Sequence, residues 1–189
     1  EFLPLGENNQ HLGVVLKGQK PTKALRTLLE EKPLPFGISA IVHTHNEEQN
    51  LADCLHSLQG WTDEIVVCDM ESHDGTLDIA RQFGARVLAH PRIRNFDSAR
   101  NASAMSARYL WILFLDADER VPQGLGETLR SLLQQTSDHC SALLVPYRNL
   151  FLGHWLDFLR STYKATGFYR NGAFWFDPRP HAGARVEGE

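Results

Sequence analysis

The sequence predicts an α/β fold built on a doubly wound, mostly parallel sheet. Two observations carry this expectation. From Gly37 onward, short apolar runs of strand length alternate with segments whose apolar residues recur at helical spacing. That βαβα order belongs to parallel sheets covered by helices. In addition, clusters of polar, chemistry-bearing residues follow the apolar runs, at the strand ends where open α/β sheets bind their ligands.

Each element can be justified in turn. Ile38–Val42 reads as a buried strand, and Glu47–Gln59 as a helix with Leu51, Cys54, Leu55 and Leu58 on one face. Glu64–Cys68 is a second strand. Asp74–Phe83 is a helix whose first turn carries Asp74, favourable against the helix dipole. Ala85–Ala89 is a short strand, and Asp97–Arg108 a small-residue helix suited to close packing on a sheet. Tyr109–Leu115 is an uncharged apolar and aromatic run that reads as a strand buried on both faces. Gln123–Gln135 is a helix with Leu125, Leu129, Leu132 and Leu133, and Ala142–Tyr147 is another strand.

Residues 1–36 differ in character. Leu12–Leu16 suits a short strand, and Pro21–Glu31 a helix with proline in its first turn. Lys32-Pro33-Leu34-Pro35-Phe36-Gly37 is a linker signal. The expected division is an N-terminal extension, or the tail of a preceding domain, over 1–36 and one domain over 37–189. The chain starts at Glu1 and stops at Val186-Glu187-Gly188-Glu189 without a clear structural end, so a fragment truncated at its C-terminus is expected.

Composition narrows the function. With 19 Lys and Arg against 23 Asp and Glu, the net charge is −4, so nucleic acid is not an expected partner. Cys54, Cys68 and Cys140 form neither a C-x-x-C pair nor an even disulfide framework. Buried free thiols in a reducing compartment follow, hence an expected cytoplasmic location. No apolar run reaches transmembrane length.

The chemistry concentrates in four places. Asp116-Ala117-Asp118 ends the longest apolar run; two carboxylates one residue apart at a strand end point to one side and suit a hard divalent cation. The other reading is a solvated loop. His43-Thr44-His45-Asn46-Glu47-Glu48 follows the first strand and offers hydrogen bonds to a base and backbone N–H groups to an anion. It can equally form a helix cap, with Asn46 as N-cap and Glu48 in the first turn. In Asp69-Met70-Glu71-Ser72-His73-Asp74-Gly75-Thr76, Asp69 ends a buried strand and reads as a ligand contact, while Ser72, Asp74 and Thr76 read as helix caps. Finally, Arg100 in Phe96-Asp97-Ser98-Ala99-Arg100-Asn101 is placed to reach a diphosphate, or is a surface arginine.

These motifs occur in the order and spacing of family 2 glycosyltransferases, which the chain resembles from about Gly37 to its end and most strongly to Val121. The residues that carry the resemblance are Ile38–Val42 with Asn46-Glu47-Glu48, Trp61–Asp69, Ser72-His73-Asp74-Gly75-Thr76, Arg100-Asn101 and Leu115-Asp116-Ala117-Asp118-Glu119-Arg120. The flavour is that of the bacterial subgroup of lipopolysaccharide-core glucosyltransferases.

The resemblance implies the A-type glycosyltransferase fold and an inverting, metal-dependent transfer from a nucleotide sugar, most often a UDP-sugar, to an acceptor hydroxyl. It places His43 and His45 at the uracil, Asp69 at the base, and Glu47, Arg100 and Asp116 in the donor site. Asp116 and Asp118 would hold Mn²⁺ or Mg²⁺ on the diphosphate. The acceptor would be a saccharide, a lipid-linked molecule or a protein. Many members act on lipid-linked acceptors, so peripheral membrane contact stays open.

Two departures bear on this. His45 and Glu71 replace residues more usual at their positions. The catalytic base belongs to the second half, where the His-Glu pair of the subgroup is represented by Pro180-His181-Ala182 with Glu187 and Glu189 trailing. His181, Asp177 and Glu187 are the candidate catalytic residues, with Glu189 a further candidate base. The alternative function is a nucleotide-sugar-binding module or fragment without activity.

Overall fold

The computed structural model describes residues 34–92, 96–136, 138–146, 149–152, 154–156, 165–177 and 184–186. The strand and helix expected within 1–36 lie outside them. In chain order the elements are β1 (Ile38–Thr44), α1 (Leu51–Leu58), β2 (Glu64–Asp69), α2 (Thr76–Gln82), β3 (Arg86–Ala89), α3 (Phe96–Ala104), β4 (Trp111–Asp116), α4 (Leu125–Gln134) and β5 (Ala142–Pro146), followed by β6 (Asn149–Phe151), β7 (His154–Leu156), β8 (Ala165–Arg170), β9 (Phe174–Phe176) and β10 (Ala184–Val186). The main sheet has the order β3-β2-β1-β4-β8-β5. Strands β1 to β4 are parallel to one another, and β8 runs antiparallel between β4 and β5. The pairs β6–β7 and β9–β10 are separate two-stranded antiparallel ribbons.

Period-two alternation sorts the strands onto two hydrophobic layers. Ile38, Ala40 and Val42 of β1, with Trp111, Leu113 and Leu115 of β4, face α1, α2 and α4 through Leu51, Cys54, Leu55, Leu58, Ala80, Leu129 and Leu133. On the opposite face, Ile41, Val66, Cys68, Ile112 and Phe114 meet Ala99 and Ala104 of α3 and Phe174 and Phe176 of β9. Small residues let α3 lie close to the sheet, as its composition predicts. Cys54 and Cys68 are buried free thiols, and burial pushes both up to about 12.

Two helix boundaries differ from expectation by four residues. Helix α1 begins at Leu51, not Glu47, because Asn46 has a left-handed backbone (φ 57°) and a turn closes from Asn50 N–H to the Glu47 carbonyl at 3.0 Å. Helix α3 ends at Ala104, not Arg108. There the Ser103 hydroxyl donates to the Arg100 carbonyl at 3.1 Å and the Ser106 hydroxyl to the Ser103 carbonyl at 2.7 Å, local bonds that compete with helix propagation. Among the described residues no helix is long and apolar enough to cross a membrane.

Candidate functional site

In-register parallel strands end together. Thr44 pairs with Asp69 and His43 with Asp116, so the C-terminal ends of β1, β2 and β4 form one continuous rim. At its β4 side, Asp116 closes the strand with its side chain 54% exposed. Ala117 turns into the core and Asp118 is again exposed, so the strand alternation continues two residues past the strand.

The turn that presents these carboxylates is braced by Glu119. Asp116 N–H donates to Glu119 Oε2 at 3.0 Å, and Glu119 N–H returns a bond to the Asp116 carbonyl at 3.0 Å. Burial raises the Glu119 carboxyl above the usual range; the Asp116 N–H opposes this, and the charges of Asp116 and Asp118 add to it. From α3, Arg100 places one nitrogen 3.4 Å from Asp116 Oδ1 and another 3.3 Å from Asp97 Oδ1. Its guanidinium lies over the Phe176 ring, 5.5 Å from the centroid. Glu119 was not singled out in the sequence for any role; its place three residues after Asp116 is the signal that could have found it.

Asp69 is buried and holds two loops at once. Its Oδ1 accepts the Thr44 hydroxyl at 3.1 Å and its Oδ2 the Ser72 N–H at 3.1 Å. A carboxylate has lone pairs to spare after two such bonds. His45 donates from Nδ1 to the Met70 carbonyl at 2.7 Å, because a carbonyl only accepts. Its Nε2 is then an acceptor, with the Asn46 amide nitrogen 3.3 Å away.

The structure does not bring the His43 ring to the rim surface. Residue 43 lies on the same strand face as Ile41, so the side chain enters the α3 layer, stacked on Phe114 with ring centroids 5.9 Å apart. Its Nε2 is 3.1 Å from Ser103 Oγ. The Ser103 hydroxyl also reaches the Arg100 carbonyl, and His43 Nδ1 is buried with no hydrogen-bond partner among the described residues. Burial, followed by the charge of Arg100, lowers this imidazole to about 3.

The loops after β1 and β2 are clipped together. Asn46 N–H donates to Ser72 Oγ (2.9 Å), His73 N–H to Asn46 Oδ1 (2.8 Å), Glu47 N–H to Thr76 Oγ1 (2.8 Å) and Glu48 N–H to Asp74 Oδ2 (3.1 Å). The Glu48 carboxylate answers by accepting Gly75 N–H at 2.8 Å. Asn46 therefore clips the loops and is not the N-cap of α1. Asp74 does act as a cap-like acceptor, taking Thr76 N–H at 3.0 Å, while Ser72 and Thr76 hold the neighbouring loop. The Glu47 carboxylate accepts the Asn50 amide at 2.9 Å.

In the second half, Asp177 follows β9, is buried, and pairs with Arg185 of β10 at 3.0 Å. His181, Glu187 and Glu189 lie outside the described residues. The aromatics Phe174 and Phe176 are buried in the core and Trp175 is half-buried.

No group of three or more metal-ligating side chains exists among the described residues. The rim offers two exposed carboxylates, Asp116 and Asp118. That number suits a hard cation completed by phosphate oxygens, since Mg²⁺ is commonly held by one or two carboxylates plus substrate phosphates.

The Glycosyl transferase family 2 model matches residues 39–187, a span that takes in the whole rim. The chain belongs to glycosyl transferase family 2. An uncharacterized glycosyltransferase of Rickettsia typhi is 36% identical over 92 residues, covering 49% of this chain and 31% of that protein. The chain thus spans about a third of the length of the curated relatives it matches first, 31% in two of them. Among solved structures, S. aureus TarS 1-349 superposes with a TM-score of 0.61 at 22% identity, over 73% of this chain and 48% of that one. Glucosyl-3-phosphoglycerate synthase from Mycobacterium tuberculosis, in complex with uridine diphosphate, does so with a TM-score of 0.50 at 22% identity, over 68% and 49%. The fold of this family 2 chain is therefore the A-type α/β architecture expected from its sequence.

Proposed function

We propose that this chain carries the donor half, and part of the acceptor half, of an inverting glycosyltransferase that moves a sugar from a UDP-sugar to an acceptor hydroxyl. The observation that carries the reading is the register that sets Asp69 and Asp116 on one rim, in a chain of this family. The binding of uridine diphosphate by the M. tuberculosis synthase supports the choice of nucleotide.

In this reading Asp69 and the clipped loops from Thr44 to Thr76 receive the nucleoside, with Glu47 and His45 beside it. His43 lies beneath this site and supports it through Ser103 and Phe114. Arg100 faces the diphosphate. Asp116 and Asp118 would hold Mn²⁺ or Mg²⁺, which when bound neutralises the charge gathering on the leaving diphosphate. Glu119 keeps the two carboxylates presented.

The acceptor oxygen forms a bond to the anomeric carbon as the bond to the diphosphate oxygen breaks. The diphosphate leaves with the electron pair, and the acceptor proton passes to a base. His181, Glu187 and Glu189 are candidates for that base, as is Asp177, which is paired with Arg185. A saccharide or lipid-linked acceptor of the bacterial cell envelope, met at the cytoplasmic side with peripheral membrane contact, suits the lipopolysaccharide-core likeness of the sequence.

The test is an incubation with UDP-glucose, Mn²⁺ and candidate saccharide or lipid-linked acceptors, followed by NMR of the anomeric proton. A β-linked product from the α-linked donor is expected; retention of the α configuration would contradict the proposed displacement.

A further inference from the structure

Beside Arg100 on α3, Asn101 spends both ends of its side-chain amide on one distant residue. Its Nδ2 donates to the Phe176 carbonyl at 2.9 Å, and its Oδ1 accepts the Phe176 N–H at 3.0 Å. A primary amide offers the donor and acceptor of a peptide group, so this side chain takes the place of a neighbouring strand. Strand β9 pairs with β10 and with no other strand among the described residues. Asn101 thus satisfies both main-chain groups of a residue that is 6% exposed.

The same residue touches the rim through its ring. Phe176 lies under the Arg100 guanidinium, and its ring meets Phe114 of β4 edge-on at 5.3 Å between centroids. Arg100 reaches Asp116. Two consecutive residues of α3 therefore join the end of β4 to β9, and β9 runs directly into Asp177.

We propose that Asn101 is a positioning residue: it docks the strand leading to Asp177 onto the helix that carries Arg100, so that occupation of the Asp116 side is transmitted to the second half of the site. This rests on the donor-site reading above. The neutral amide is what the geometry requires. Aspartate would keep an acceptor for the Phe176 N–H but set an anion against the Phe176 carbonyl, and alanine would supply neither group.

Hydrogen–deuterium exchange of the full chain, with and without UDP and Mn²⁺, tests the assignment. In the native protein, UDP with Mn²⁺ is expected to slow exchange across 174–177. In Asn101→Ala, that segment should exchange about tenfold faster without ligand and lose its response to UDP. Protection of β1, β2 and β4 should persist, and UDP affinity should stay within about threefold. Asn101→Asp, which keeps one bond, should fall between.

A segment 174–177 that stays protected and responsive in Asn101→Ala, while UDP binds normally, would overturn the role of Asn101 alone. Failure of the native chain to bind UDP would instead overturn the donor-site reading on which the transmission rests.

Discussion

Arg100 and Asp116, sixteen residues apart in sequence, meet at 3.4 Å across the rim, with Arg100 also held by Asp97 and by the face of Phe176. The pair is half open to water, so its own worth to folding is under about 1 kcal/mol. In the proposed reading its value lies in keeping a planar, permanently charged donor for the diphosphate beside the carboxylates that would hold the metal. Arg100→Ala should leave the thermal midpoint nearly unchanged while weakening UDP binding in Mn²⁺ by about tenfold, near 1.4 kcal/mol. Calorimetry alongside thermal unfolding checks both halves; unchanged affinity would remove Arg100 from the donor site.

Asp118 is exposed and follows a buried alanine. Nothing in the core depends on its charge, so Asp118→Asn should fold as the native chain does, within about 0.5 kcal/mol. Its loss should appear only in the Mn²⁺-dependent part of UDP binding, which should fall by at least about tenfold. Denaturant unfolding and calorimetry of the same preparation separate the two effects.

His43 makes stability depend on pH. Its folded pKa is depressed from 6.5 to about 3, by burial and then by the Arg100 charge. Between those values the unfolded chain binds a proton that the folded chain does not, so stability rises with pH across this window. The contribution is complete above the unfolded value and is lost, at about 1.4 kcal/mol per pH unit, as pH falls toward the folded one. His43→Gln removes the titration. Between pH 7 and pH 5 the native chain should lose about 2 kcal/mol more than this variant; parallel denaturation profiles would contradict the buried neutral imidazole.

Gly126 lies in α4 against Trp61. A β-carbon there would sit 2.5 Å from three atoms of the indole. The indole cannot easily yield, because it is 4% exposed, donates to the Ser57 carbonyl at 2.9 Å and meets Phe168 at 6.3 Å between centroids. Gly→Ala in a helix ordinarily stabilises by about 1 kcal/mol. Gly126→Ala should instead destabilise by about 1–3 kcal/mol through overpacking, read as a lower denaturant midpoint.

Much of the first half was legible because its signals are local. The buried parallel strands are continuous apolar runs, and Leu51, Cys54, Leu55 and Leu58 fall on one helical face, so β1, α1, β2 and β4 follow from periodicity. The rim was legible because Asp69 and Asp116 end such runs. What escaped is non-local. The insertion of β8 antiparallel between β4 and β5 is decided by pairing between segments far apart in the chain, as is the docking of β9 by Asn101. His43 reads as a rim residue by its position after an apolar run. Counting on from Ile41 by two places it on the α3 face, where only the small residues of that helix leave room for it. Asn46 fails as an N-cap because its left-handed backbone turns it toward His73, a partner 27 residues on.

In the proposed reading, the rim of Asp69, Asp116 and Asp118 is a metal-assisted UDP site. Calorimetric titration of UDP, GDP and ADP into the chain, first with Mn²⁺ and then with EDTA, tests it most directly. Saturable binding that favours UDP and weakens by at least about tenfold in EDTA is expected. Equal binding of the three nucleotides, or UDP binding that EDTA leaves unchanged, would contradict it.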